Sequence, residues 1–324
     1  PEGTPVELKN VLKFIATDDD AHRTAAGGGD PEPYLPAKNI YIDIDSQKAT
    51  TMNFVDPRDN ARITSRMQWT LGNMLMKNDL IALDIVANNI MERPIYYAVS
   101  VAPDAYVGMD KFFQLEGMTY RIVPISGGTG AQGAPVRCDA AYKTMMEKFR
   151  FGGMREHPEI YLDENILRMT MNLRGNYARL ADALLQKGEK DKAVQVIDHV
   201  LQEMPGNLVP YSIFMVNFPD IYYQAGQKEK AQKLSDELLA HAKDELRYYQ
   251  SAFGEILERA RDHGDRAELQ QLQQGGFMQR RAIQEQLYML QELMQSAKKY
   301  DSPERAAAME KEFQAAQASF IKNG

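Results

Sequence analysis

Residues Tyr161–Pro205 read YLDENILRMTMNLRGNYARLADALLQKGEKDKAVQVIDHVLQEMP. Ile166, Met169, Leu173, Tyr177, Leu180 and Leu184 recur every three or four residues, which puts them on one face of a 3.6-residue period. Gly188 then stops the helix, because glycine enters the left-handed C′ conformation without a steric cost, and Lys187 suits the negative end of the helix dipole. A second helix follows with Ala193, Ile197, Val200 and Leu201 inward, and Pro205-Gly206 ends it. The stretch predicts two antiparallel helices joined by a tight turn.

Working outward, Gly188, Gly226 and Gly264 recur at a constant 38-residue interval. The first two are also alike locally, with QKGEKDKA ending at Ala193 and QAGQKEKA ending at Ala231. These residues resemble tetratricopeptide repeats: Gly188 stands at the helix turn, Ala193 and Ala231 at the close-packing alanine, and Pro205 at the terminal proline. That family's unit has about 34 residues, so each copy here carries about four more. Copy two has Pro219 within its first helix, as a kink or a fresh start, and copy three has Leu269 in place of the alanine. Helices over about Phe277–Lys298 and Pro303–Ile321 are expected to cap the array.

Before the array, residues 1–154 read as a small α/β domain of two or three layers, and 155–324 as the helical repeat domain. Thr4-Pro5-Val6-Glu7 has the form of a capping box, predicting a helix over Pro5–Ala16 with Leu8, Val11, Leu12 and Ile15 buried. A polar, Gly/Pro-rich loop leads to a strand over Ile40–Asp45, and Trp69 anchors the following segment. Asn78 or Asp79 caps a helix carrying Leu80, Ile81, Leu83, Val86, Ala87 and Ile90, broken by Arg93-Pro94 before a strand over Ile95–Val101. Met109–Glu116 suggests a short helix closed by Gly117, MTYRIVPI a third strand, and Asp139 the cap of a last helix. The alternation implies a small parallel or mixed sheet flanked by helices.

A net charge of −7 leaves no basic excess for a phosphate backbone, so nucleic acid is not an expected partner. No run approaches the roughly eighteen apolar residues of a membrane span, and the first residues lack a signal-peptide pattern. The lone Cys138 excludes an internal disulfide. Eighteen methionines fit helix core in the main, with adaptable grooves as the other use.

Signatures of catalysis are sparse. Gly128, Gly130 and Gly133 match a dinucleotide fingerprint, but Pro135 follows and helix resumes only near Asp139, so no helix N-terminus meets an anion and the segment reads as loop. Asp18-Asp19-Asp20 and Asp43-Ile44-Asp45 contain Asp-x-Asp, a spacing that can hold a divalent metal, and Asp43 and Asp45 share one face of the expected strand. Helix-end and strand-end solvation accounts for both. The five histidines lack metal-ligand spacing, and Cys138 has no base beside it. No cofactor or metal is expected. A polar stripe stands out instead: Arg168, Asn172, Asn176 and Arg179 follow one another at helical spacing, away from Leu173 and Leu180. It reads as a solvated face or as a groove for a peptide backbone or carboxylate.

Several longer phrases occur in order: LKFIATDDD, YLPAKNIYIDID, NDLIALDIVANNIMERPIYYAVSV, DKFFQLEGMTYRIVPI, MMEKFRFGGM and IYLDENILRMTMNLRGNYARLADALL. Together they resemble the soluble C-terminal region of a bacterial family of multi-pass membrane proteins, of unassigned function, related to protein O-mannosyltransferases. The likeness covers most of residues 8 to 260. It implies a missing N-terminal membrane domain that carries any transferase chemistry, a periplasmic placement at the inner membrane, and no catalytic residue in this chain. The leading expectation is a non-catalytic module that binds a protein or peptide partner. The alternatives are a metal-dependent sugar-nucleotide-binding enzyme domain using Asp43 and Asp45, and a free-standing soluble repeat scaffold.

Overall fold

The computed structural model describes residues 3–24, 30–125, 130–263 and 266–321, with side chains outside 253–279 and 319–321. The chain divides into two compact units, Pro1–Glu147 and Lys148–Gly324. The first is mixed α/β with small sheets, and the second is a helical array.

In chain order the first unit contains β1 (Val6–Glu7), α1 (Leu8–Ala16), β2 (Arg23–Thr24), β3 (Glu32–Pro33), β4 (Asn39–Asp43), α2 (Ser46–Thr51) and β5 (Arg66–Thr70). α3 (Lys77–Asn89), β6 (Tyr96–Ala98), β7 (Phe113–Glu116), β8 (Thr119–Ile122) and α4 (Cys138–Tyr142) follow. Two separate three-stranded sheets form, ordered β1-β4-β5 and β6-β8-β7, beside a β2-β3 ribbon. Among the described strands only β1 and β4 run parallel; the other pairs are antiparallel. In the first sheet Ile40 lies opposite Trp69 and Ile42 opposite Met67, so the period-two alternation buries all four together. Leu8 and Val11 of α1 and Leu83 and Val86 of α3 join the same core. In the second sheet Phe113 stacks on Tyr120 at 5.1 Å, and Tyr106 meets both edge-on.

Several expectations are corrected here. The Thr4 capping box does not form: Val6 and Glu7 pair with β4, and the helix begins only at Leu8. A β-branched residue beside an open strand edge satisfies its backbone in the sheet instead. The strand expected over Ile40–Asp45 ends at Asp43, while Asp45 caps α2 by accepting from the Lys48 amide at 3.0 Å. Met109–Glu116 is not a helix. A single 3₁₀ turn at Asp110–Phe112 gives way to β7, and Gly117, at φ +73°, turns the hairpin into β8. That hairpin makes the second sheet antiparallel, so the single parallel or mixed sheet is replaced by two small ones. The strand expected over Ile95–Val101 shortens to β6, and Ile81, expected inside, is 62% exposed. Asp139 lies within the first turn of α4 rather than capping it, and pairs with Arg58 at 3.0 Å. Trp69 is buried as expected.

The second unit contains α5 (Glu164–Gln186), α6 (Lys190–Glu203), α7 (Phe218–Gln224), α8 (Lys228–His263), α9 (Arg266–Tyr300) and α10 (Pro303–Ile321). Successive helices α5 and α6, α7 and α8, α8 and α9, and α9 and α10 lie against one another. Gly188 and Gly226 adopt φ +81° and +80°, ending α5 and α7 in the same left-handed way. Gly264, and the side chain of Leu269, lie outside the described residues. Pro219 sits in the first turn of α7 and so marks a fresh start. Two helices depart from the expected 38-residue plan: α9 begins at Arg266 and so runs through the start of the helix expected at about Phe277, and α8 is continuous over 36 residues. The positions one period after Pro205 and Gly206 are Lys243 and Asp244, which carry no breaking signal, so the helix runs through. Asp301 ties the far end together, accepting from Tyr223 and Gln232 at 2.6 Å each and from Arg305 at 2.9 Å.

On α5, Tyr177, Leu180 and Leu184 are buried as the periodicity requires, but Ile166 and Met169 face outward. Thr170 and Arg174 precede Tyr177, Ala181 and Leu184 at four- and three-residue spacing on one buried face, and Arg174 is 0% exposed. Its guanidinium donates to the carbonyls of Met204 (2.7 Å), Val209 (3.0 Å) and Pro210 (2.8 Å), and lies 3.2 Å from the Met215 sulfur. Burial pushes its pKa down to about 10, so it stays charged at neutral pH. Burying a guanidinium is costly unless its N–H groups meet acceptors; three carbonyls at and after the end of α6 take the two terminal nitrogens, while Nε is buried without a partner among the described residues.

Replacing Arg174 with Ala leaves those carbonyls without their donor. The expected loss is about 3 kcal/mol of unfolding free energy for the helical unit, read by urea denaturation. His199 packs between Phe151 and Tyr177, and burial holds its imidazole below the ordinary value of 6.5. The fold therefore prefers the neutral ring. Its contribution is complete above 6.5 and declines as pH falls from there to the lowered folded value. The wild-type midpoint in urea should fall over that range, and His199→Gln should flatten the dependence.

Candidate functional site

α5 is anchored at its start by Asp163, which accepts from the Ile166 amide at 2.9 Å. From there Ile166, Met169, Asn172 and Gly175 follow at three-residue spacing and form one row along the helix. Met169 is 67% exposed, and Ile166 and Asn172 are exposed beside it. Gly175 is covered by Phe214, whose ring lies 3.2 Å from where a Cβ would stand; Phe214 is itself 45% exposed. The surface is therefore a mixture of large apolar side chains with an amide among them. Arg168 borders it and donates to Asn165 at 3.0 Å.

Of the four residues singled out on α5, Arg168 and Asn172 stand together at the surface. Arg179 is half-buried, and Asn176 is only 6% exposed. Both are engaged by other groups. The expected solvent-facing stripe is thus corrected: its second half lies inward, with Asn176 buried and Arg179 half-buried. The apolar residues Ile166 and Met169, assigned to the core from periodicity alone, belong to the exposed face instead. Their spacing could not distinguish the two, since a buried arginine is not recognisable in a hydrophobic pattern.

A second feature escaped sequence reasoning. A cleft of about 500 Å³ opens among α6, α8 and the segment from Pro205 to Tyr211. The Tyr211 hydroxyl donates to Glu237 at 2.6 Å. The Tyr222 hydroxyl donates to Asp198 at 2.7 Å, and Lys230 reaches the other oxygen of Asp198 at 2.6 Å. Gly206 is required at this place. A Cβ there would stand 2.7 Å from Tyr211 Cζ, so the ring lies directly against the glycine. Burial and the Glu237 carboxylate push the Tyr211 hydroxyl up to about 12, which keeps it protonated as a donor.

In the first unit, the Asp-x-Asp pairs are dispersed. Asp43 accepts from Arg66 at 2.7 Å, and Asp45, no longer on the strand, caps α2. The two carboxylates do not share a strand face as the sequence suggested. Asp18 pairs with Arg23 at 2.9 Å, and Asp19 accepts from the Ala21 amide at the same distance. Among the described residues no three His, Cys, Asp or Glu side chains converge as metal ligands. Gly128 of the glycine-rich segment lies outside the described residues, and α4 begins only at Cys138, which is buried. Among the described residues no helix is long and apolar enough to cross a membrane.

Comparison with known proteins bears on the first unit. Neither the curated proteins nor the solved structures contain a match to the chain. Residues 2–140 match the family model described as TMEM260-associated domain 2, a family tied to a membrane protein related to O-mannosyltransferases. Over most of its α/β unit, then, the chain is similar to a domain associated with TMEM260.

Proposed function

We propose that the chain is a non-catalytic, extracytoplasmic interaction module of a glycosyltransferase-like membrane protein, and that its tetratricopeptide-like helical unit binds a protein or polypeptide acceptor. The observation that carries this reading is the α5 row of Ile166, Met169 and Asn172 with Phe214 seated on Gly175. Exposed large apolar side chains gain most from being covered, and an amide among them can pair with a peptide backbone. The likeness of residues 2–140 to a TMEM260-associated domain supports the attachment to a membrane protein. The roles divide by chemistry: apolar anchors supply affinity, while Asn172 and Arg168 supply register.

The test is a pull-down with the whole chain from its own cell envelope, followed by direct binding of the captured partner to variants. Met169→Asp should weaken that binding by about tenfold or more and Asn172→Ala by less. Ile81→Asp, on the first unit, should leave it unchanged. A partner that binds Met169→Asp and Asn172→Ala as tightly as wild type refutes the α5 face as the docking surface.

A further inference from the structure

The cleft among α6, α8 and the Pro205–Tyr211 segment is a separate feature from the α5 row, and its hydrogen-bond inventory is specific. Two acids, Asp198 and Glu237, and two bases, Lys230 and Lys233, line it, so its side chains sum to no net charge. The charges are also largely spent on one another: Lys230 contacts Asp198 at 2.6 Å, and Lys233 stands 3.9 Å from Glu237. A charged ligand gains little Coulombic energy in such a place, because each charge it approaches has an opposite neighbour.

Hydrogen-bonding capacity is not spent. A carboxylate has about four lone-pair sites. Asp198 uses one for Tyr222 and one for Lys230, and Glu237 uses one for Tyr211. Acceptors therefore remain on both acids, and donors remain on both ammonium groups, each of which carries three N–H bonds. Leu201, Pro205 and Leu234 supply an apolar wall. The volume of about 500 Å³ falls within the ordinary range for small-molecule sites.

We infer that this cleft binds a neutral, polyhydroxylated ligand, a saccharide unit. Each hydroxyl both donates and accepts, so it can bridge a remaining carboxylate lone pair and a lysine N–H at once. The C–H face of the ring covers the apolar wall. An ion that approaches either group also meets a charge of its own sign beside it. The inference is independent of the α5 docking surface, and either can fail without the other.

The experiment is a titration of the whole chain with a panel of neutral hexoses and their disaccharides, monitored by calorimetry and by saturation-transfer NMR. Zwitterionic glycine and anionic glucuronate serve as probes that carry charges, and a blocked dipeptide as a neutral amide probe. At least one neutral saccharide should bind in the millimolar range, with little dependence on salt. Asp198→Asn should weaken it about tenfold, and so should Lys233→Ala, whose exposed position leaves the fold intact. Met169→Asp should have no effect, which separates this site from the protein-docking face. The assignment is overturned if no neutral saccharide in the panel binds. Binding unchanged in both cleft variants, or a salt-sensitive preference for the charged probes, overturns it equally.

Discussion

A guanidinium cannot shed its charge when buried as readily as an amine or a carboxylic acid can, so the chain around it must arrange acceptors. Arg174 imposes that constraint on the helical unit. Three carbonyls from Met204, Val209 and Pro210 converge on it, fixing the course of the chain as it leaves α6. That course places the next residues of the chain. Tyr211 comes to lie with the hydroxyl end of its ring against Gly206 and donates to Glu237 of α8, and Phe214 comes to rest on Gly175 of α5. The exposed row on α5 and the polar cleft thus share one support, although their chemistry differs. The cost of the buried charge is offset by specificity: a lysine in the same position has no planar fork with which to hold three oxygens of one loop.

The helical character of the second unit and several of its helix ends were legible in the sequence, and the reasons are local. Gly188 and Gly226 announce helix ends that the backbone realises at positive φ, and Pro303 opens the last helix where a proline at the first turn is tolerated. The continuous α8 departs from the repeat for an equally local reason, the replacement of Pro-Gly by Lys243-Asp244. The α/β unit was legible only in part. Short β elements are settled by pairing partners far away in sequence: Val6-Glu7 becomes a strand because Ile40-Tyr41 is there to receive it, and Phe113–Glu116 because Gly117 folds it onto β8. Period alone could not supply those partners.

The candidate site was legible to the extent that its helix was named, and not beyond. Arg168 and Asn172 reach the surface as expected, while Asn176 turns inward and the apolar Ile166 and Met169 turn outward. Which of these positions is covered depends on the tertiary neighbours of α5, and a period of 3.6 residues does not reveal them. The cleft was missed for a related reason. Asp198, Tyr222, Lys230 and Glu237 come from three helices, and none forms a motif with its sequence neighbours. The functional surfaces proposed for the helical unit are both non-catalytic in character, one apolar with an amide and one neutral and rich in hydrogen-bonding groups. That character suits an accessory role beside a membrane-bound transferase, which is the setting proposed from the likeness of the first unit to a TMEM260-associated domain.

The dependence of both surfaces on one side chain is measurable directly by hydrogen–deuterium exchange of the Arg174→Lys variant against wild type under native conditions. If Arg174 holds the loop, amides from Met204 to Met215 lose protection in the variant, whereas the amides of α9 and α10 near Asp301 keep theirs. Unchanged protection over residues 204–215 would contradict the account, because the loop would then be held by something other than the guanidinium.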